Sequence, residues 1–383
     1  MTKPLIVDDM IEEAQRATGL TTFDSESFRE GLQVVCDDIN ADDRPEELKQ
    51  LCRGEFVGLL GSRLQTTDYL AKRPELLTRP VERPLFVMGI PRTGTTMINN
   101  LLAADPARRS PLAWEIDEPI PPATTATLTT DPRAVKRLEQ ERAMLAARPE
   151  MGKYYRGSAI YPNECVFIMA RDFKTLMLES KGKMPRYREY IFSADVTSAY
   201  EYEKTFLQIL QSEAPGIWNL KMPSHVLNIE TILKVFPDAR FIWTHRDPYT
   251  AAGSLMSLVS LGHQRYGGGV DKAWMAANYP DQCRLHAEKG MDARDRIGWD
   301  RVVDVQYADM MRDPIGVMRA VYAQLGDDFT PEAEAGMQAW VDDNPQDKFG
   351  RHEYKLGQFG LTQQDLEPLF ERYLSRFDVE MEG

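Results

Sequence analysis

The chain has little of what metal and disulfide chemistry require. Its four cysteines, Cys36, Cys52, Cys165 and Cys283, are scattered through 383 residues and form no C-x-x-C pair. That excludes a disulfide framework or a thiolate clip and suits isolated thiols in a reducing, cytoplasmic setting. The five histidines fall at no ligand spacing, so no structural metal is expected. No apolar run approaches the ~20 residues of a membrane span, and residues 1–10 (MTKPLIVDDM) lack the apolar stretch of a secretory leader. Positive charge is in deficit: 46 lysines and arginines face 59 acidic residues, a formal net charge of −13. So acidic a surface opposes nucleic acid, and an anion site must concentrate positive charge locally. What is present is an ordinary globular mix, 43% hydrophobic and 27% charged, able to bury a large core.

Residues 1–80 read as helical. The clearest piece follows Asp43, with Pro45 placed for a first turn. Leu48, Leu51, Cys52, Phe56, Leu59, Leu60 and Leu64 then make one stripe at helical spacing. This segment is expected to be a helical cap packed on the domain that follows. The pattern changes at Pro84. Residues 85–90 (LFVMGI) form a continuous apolar run, as in a strand buried on both faces. Further strands are expected at 217–221, 240–244 and 301–305, separated by helical patterns at 197–212, 226–236, 249–261, 273–297 and 314–325. This alternation predicts an α/β three-layer sandwich around a parallel central sheet, P-loop NTPase-like, over residues 84–383. Residues 105–133 carry six prolines and should be irregular.

The strongest local signal is Gly89-Ile90-Pro91-Arg92-Thr93-Gly94-Thr95-Thr96, straight after the first strand. It has the P-loop spacing G-x-x-x-x-G-K-[ST], with Thr95 where the lysine belongs. Tight backbone wrapping and a helix start would aim N–H groups at one anion, with Thr95, Thr96 and Arg92 adding side-chain donors. Nucleotide-hydrolysing loops use that lysine and a Mg²⁺-holding acid on a second strand. Neither is evident, which favours a group of lower charge than a terminal phosphate.

At this point the chain resembles the PAPS-dependent sulfotransferase family, its bacterial and tyrosylprotein-type branches especially, over roughly residues 84–375. PAPS is 3′-phosphoadenosine 5′-phosphosulfate. The segment PRTGTT, Pro91 to Thr96, resembles the family's 5′-phosphosulfate loop. FIWTHRDPYTAAGS, residues 241–254, resembles its second motif, in which Arg246 and Ser254 would bind the 3′-phosphate. The physics agrees: Arg246 leaves a strand end, where open α/β sheets bind ligands. The string His245-Arg246-Asp247 does not make a protein-kinase loop, because Ala252 stands where asparagine is required. Lys221, 25 residues before Arg246, matches the family lysine that neutralises charge on the leaving oxygen. Glu115, 23 residues after Arg92, matches the tyrosylprotein-type general base. His225 is the rival base by likeness to the cytosolic branch. Lys355, with Gly357 and Gly360, partly matches a loop that closes on the nucleotide, although Leu356 replaces its second basic residue. Tyr307 to Asp309 resembles a family Tyr-Glu-Asp segment and reads as structural.

The resemblance implies sulfuryl transfer from PAPS to a hydroxyl acceptor, leaving 3′,5′-adenosine bisphosphate, with no metal required. The acceptor is expected to be a small-molecule or lipid-like alcohol. Tyr154, Tyr155, Tyr161, Phe167, Ile168, Met169, Phe173, Leu176 and Met177 could line its pocket or be ordinary core. Two other readings remain. A P-loop small-molecule kinase would demand lysine at position 95 and Mg²⁺. A non-catalytic nucleotide-binding protein would have kept the loop and lost the chemistry.

Overall fold

A computed structural model describes residues 3–147, 158–345 and 356–382. They form two compact units. One comprises Met1–Pro80, Cys165–Ile209 and Met256–Met275; the other comprises Val81–Glu164, Leu210–Leu255 and Ala276–Gly383. The helical periodicity of residues 1–80 therefore marks only the first part of its unit, because two later stretches pack into the same core. Among the described residues, no helix is long and apolar enough to cross a membrane.

The first unit is built on α1 (Val7–Thr18), α2 (Phe28–Ala41) and α3 (Glu46–Lys72). In α3 the residues buried from the expected stripe are Cys52, Phe56, Leu60 and Leu64, one per turn at four-residue spacing. Leu51, one residue off that line and so about 100° around the helix from it, faces outward, while Lys49 and Arg63 share the buried face. Arg63 is held by Asp24 and Asp172, at 2.7 Å each, and lies over the rings of Phe28 and Tyr202. A buried guanidinium needs such partners to offset its desolvation. Ile168, Met169 and Phe173 are also buried here, with Phe173 edge-on to Phe56 at 5.5 Å. They are core residues; Phe167, and Tyr161 of the other unit, are exposed. Tyr154 and Tyr155 lie outside the described residues.

The second unit is the α/β sandwich. Its strands are β1 (Leu85–Gly89), β2 (Arg108–Arg109), β3 (Ile217–Lys221), β4 (Arg240–His245) and β5 (Val302–Gln306). They pair in the order β2-β3-β1-β4-β5, all parallel. Every residue of β1 is buried, as its unbroken apolar run requires. Leu85 and Val87 point to one face, against α4 (Thr95–Ala103) and the helices Pro314–Leu325 and Pro331–Asp343. Phe86 points to the other face, with Phe236 and Phe241. On that face Trp243 lies so close to the helix Lys272–Ile297 that a Cβ on Gly290 would come within 2.6 Å of its ring. The chain steps from β3 to β4 across β1, and in open α/β sheets the cleft at such a reversal, outside the strand carboxyl ends, is where ligands bind.

Candidate functional site

The loop from β1 to α4 is shaped by left-handed backbone at Arg92 (φ 74°) and Gly94 (φ 94°). A Cβ at Gly94 would lie 2.6 Å from Met310 and 2.8 Å from Tyr307, so glycine is required there by space as well as by conformation. The Thr93 hydroxyl turns inward to Ile90 O at 2.7 Å and Thr244 Oγ1 at 2.6 Å. Pro91, Thr93 and Thr95 are buried, and Arg92 and Thr96 are exposed. The loop thus offers a ligand one guanidinium, one hydroxyl and the free N–H groups of the first turn of α4.

The site residues expected from sequence follow the carboxyl ends of neighbouring strands. Lys221 ends β3; its ammonium lies 3.3 Å from Thr96 Oγ1. The positive charge missing from position 95 is therefore supplied from the adjacent strand. Arg246 follows β4. Its Nη1 donates to Arg92 O at 3.1 Å, and its guanidinium lies 4.1 Å from the centre of the Tyr307 ring. Arg92 Nε donates to Ser254 Oγ at 3.0 Å, one turn and a half into the helix Pro248–Gly267. Asp247, beside Arg246, accepts from Tyr249 N and Thr250 Oγ1 and so fixes the start of that helix. Arg92, Arg246 and Ser254 form one cluster, and Lys221 reaches the same loop from the other side of β1.

Glu115 and His225 do not join it as expected. Glu115 is fully buried, ion-paired with Arg109, and accepts Leu112 N–H at 3.2 Å. Burial pushes its carboxyl up despite the arginine. Separation along an irregular loop carries no information about orientation, and Glu115 lies in a short helix, Ala113–Asp117, whose first turn it caps. His225 is fully buried edge-on to Phe86 at 4.9 Å. Burial, aided by the Lys221 charge, pushes it down to about 3, so it is neutral at ordinary pH. Lys355 lies outside the described residues.

Two carboxylates that sequence reasoning missed stand against the cationic residues. Glu164 Oε1 is 2.5 Å from Lys221 Nζ and its side chain is 33% exposed, enough for a second group to reach it. Residues 159–163 hold it in place along the Pro-rich loop: Ala113 N donates to Tyr161 O, Trp114 N to Ala159 O, and Asn163 N to Pro111 O. Glu382 pairs with Arg246. No motif spacing marks either residue.

Comparison with known proteins agrees with this geometry. The sulfotransferase family profile matches residues 84–331. The omega-hydroxy-beta-dihydromenaquinone-9 sulfotransferase Stf3 of Mycobacterium bovis, and that of Mycobacterium tuberculosis, are each 26% identical over 257 residues, 63% of this chain. The chain spans only 62% of the length of those relatives. Among solved structures, sulfotransferase STF9 from Mycobacterium avium is 43% identical with a TM-score of 0.92, covering 98% of both chains. Sulfotransferase STF1 from Mycobacterium tuberculosis is 25% identical with a TM-score of 0.84, covering 97% of this chain and 99% of the other. A strand-loop-helix cradle with its family profile spanning most of the α/β unit, and likeness along nearly the whole chain to STF9, lead to one assignment: this chain belongs to the sulfotransferase family.

Proposed function

We propose that the chain transfers a sulfuryl group from PAPS to the hydroxyl of a small-molecule or lipid-like acceptor by in-line displacement, with a carboxylate as general base. The observation that carries this is the convergence of Arg92, Ser254 and Arg246 at the ends of two adjacent strands, linked by hydrogen bonds of 3.0 and 3.1 Å. One nucleotide that is anionic at both its 5′ and 3′ positions suits two such cradles. The fit is supported by Arg246 itself, whose fork already takes both oxygens of a carboxylate, at 2.5 and 2.7 Å. PAPS supplies the activated sulfuryl group.

Arg92, Thr96 and the N–H groups of the loop would hold the 5′-phosphosulfate. Arg246 and Ser254 would hold the 3′-phosphate and so distinguish PAPS from ATP. As the acceptor oxygen bonds to sulfur, the bond from sulfur to the 5′-phosphate oxygen breaks. Lys221 would stabilise the charge that this oxygen gains. We assign the acceptor proton to Glu164 rather than Glu115, because Glu164 is one-third exposed beside Lys221 and Glu115 is sealed against Arg109. His225 and Glu115 would then support the site from beneath. The apolar, hydroxyl-bearing substrate in the name of the Stf3 relatives supports a lipid-like acceptor. Four buried free thiols fit a reducing, cytoplasmic setting.

The test is thermal shift followed by transfer. A ligand at ~100 times its Kd stabilises by ~2.7 kcal/mol. 3′,5′-Adenosine bisphosphate should do so and Mg-ATP should not, with labelled sulfate then passing from PAPS to an alcohol. Stabilisation by Mg-ATP alone would transfer the case to a kinase. Binding of the bisphosphate with no sulfate transfer to any acceptor in a lipid extract would favour a non-catalytic binder.

A further inference from the structure

The arginine assigned to the 3′-phosphate already has an anionic partner from its own chain. Glu382 meets Arg246 two-pronged: Nε lies 2.5 Å from Oε1 and Nη2 lies 2.7 Å from Oε2. The Glu382 N–H donates to Asp247 Oδ2 at 3.2 Å, beside the same arginine. The residues leading to it are anchored within the same unit. Phe377 stacks on His245, ring centres 4.0 Å apart, and packs 5.3 Å from Trp243 on β4. Glu380 pairs with Arg312 at 2.7 Å. Segment 377–382 is therefore positioned, not merely adjacent.

A carboxylate and a phosphate compete for the same two parallel N–H groups of a guanidinium, because each presents a pair of oxygens at the matching separation. Arg246 Nη1 is held by Arg92 O, which fixes the guanidinium with its Nε/Nη2 edge toward Glu382, so a phosphate can take that side-on fork only if Glu382 leaves it. We propose that Glu382 is a tethered competitor for the 3′-phosphate: it holds Arg246 before the nucleotide binds, lowers nucleotide affinity by the fraction of time it does so, and recaptures the arginine as the bisphosphate product departs. This rests on Arg246 binding the 3′-phosphate. The tether runs only five residues past Phe377, which keeps the local carboxylate concentration high. The side chains of Arg246 and Glu382 are 17% and 38% exposed. Water and salt therefore screen the pair, and its effect on affinity should be about three- to tenfold rather than larger.

The test is binding of 3′,5′-adenosine bisphosphate, and of adenosine 5′-phosphosulfate, which lacks the 3′-phosphate, to the full chain. Glu382→Gln should tighten the bisphosphate about three- to tenfold and slow its release in proportion. Adenosine 5′-phosphosulfate should bind as before, and the gain should vanish in an Arg246→Ala background. Asp378→Asn, which removes a charge from the same segment, should change nothing. Thermal melting checks folding, and Glu382→Ala guards against a residual amide contact. If both Glu382 variants bind the bisphosphate as the parent does while Arg246→Ala still weakens it, the competitor is overturned and the donor assignment stands. Equal tightening of both ligands would reduce the effect to general charge and overturn it too. Indifference of the bisphosphate to Arg246→Ala would instead remove the assignment of Arg246, and the competitor with it.

Discussion

Glu115 lies within the Pro-rich loop and Glu164 follows a segment hydrogen-bonded alongside it, in the same compact unit, and each is paired with a cation. Glu115 is sealed: Arg109 and the Leu112 N–H occupy its oxygens, and Trp218 lies against the guanidinium at 4.5 Å. Glu164 is paired with Lys221 and remains one-third exposed. A carboxylate that water and substrate cannot reach serves to satisfy a buried charge, whereas one at the rim of a cationic cradle can exchange a proton with a substrate. The comparison teaches that a residue's separation from a motif says less about its use than the solvent left beside it.

The sharpest way to break this contrast is Glu164→Gln. Sulfate transfer should fall by ~10²–10⁴, the usual worth of general acid-base catalysis, with bisphosphate affinity and melting temperature close to the parent's. Single-turnover transfer from labelled PAPS measures it, and near-parental transfer would return the proton to another group. Glu115→Gln should do the converse. It leaves Arg109 buried, with Nε and Nη1 already lacking a hydrogen-bond partner among the described residues. Removing one member of a buried pair costs ~3–5 kcal/mol, readable as a lower denaturant midpoint, while transfer per folded molecule stays within severalfold. A catalytic collapse with unchanged stability would reinstate Glu115 as base. Lys221→Met should lower transfer by ~10²–10³, as expected for loss of one preorganised charge-stabilising donor, and weaken bisphosphate binding much less.

A third glutamate sharpens the comparison from the other unit. Glu203 is fully buried, and burial pushes it up to about 8 from an ordinary 4.5, with the Cys165 thiol's hydrogen bond offsetting a little. The folded chain keeps this proton until pH nears 8, whereas the unfolded chain releases it near 4.5. Its contribution to stability is thus full below 4.5 and is lost as pH rises through 8. The melting temperature should be lower at pH 9 than at pH 6, and Glu203→Gln should flatten that difference. An unchanged pH profile in the variant would show that Glu203 does not titrate in this window.

Why some of this was legible and some not follows from how far apart the interacting residues lie. β1, the loop and α4 are contiguous, so periodicity and glycine spacing suffice to read them. Arg246, Ser254 and Lys221 are singled out by resemblance to family motifs, with their positions at or just after strand ends as the physical support. β2, two residues long, is too short for any alternation to register. Glu164 and Glu382 reach their partners across 57 and 136 positions, through loops whose course no local pattern encodes. In α3 Arg63 shares the buried face with the apolar residues, and one of its two carboxylate partners, Asp172, lies 109 residues away, where no local pattern announces it.

The left-handed backbone at Arg92 has a consequence for engineering. A side chain other than glycine held at φ 74° costs about 1–3 kcal/mol, and here nature has accepted that cost to aim a guanidinium at Ser254. Selection for heat tolerance alone should therefore drift toward Arg92→Gly, giving sturdier molecules that lack the guanidinium bonded to Ser254. Libraries built for robustness should hold this position fixed.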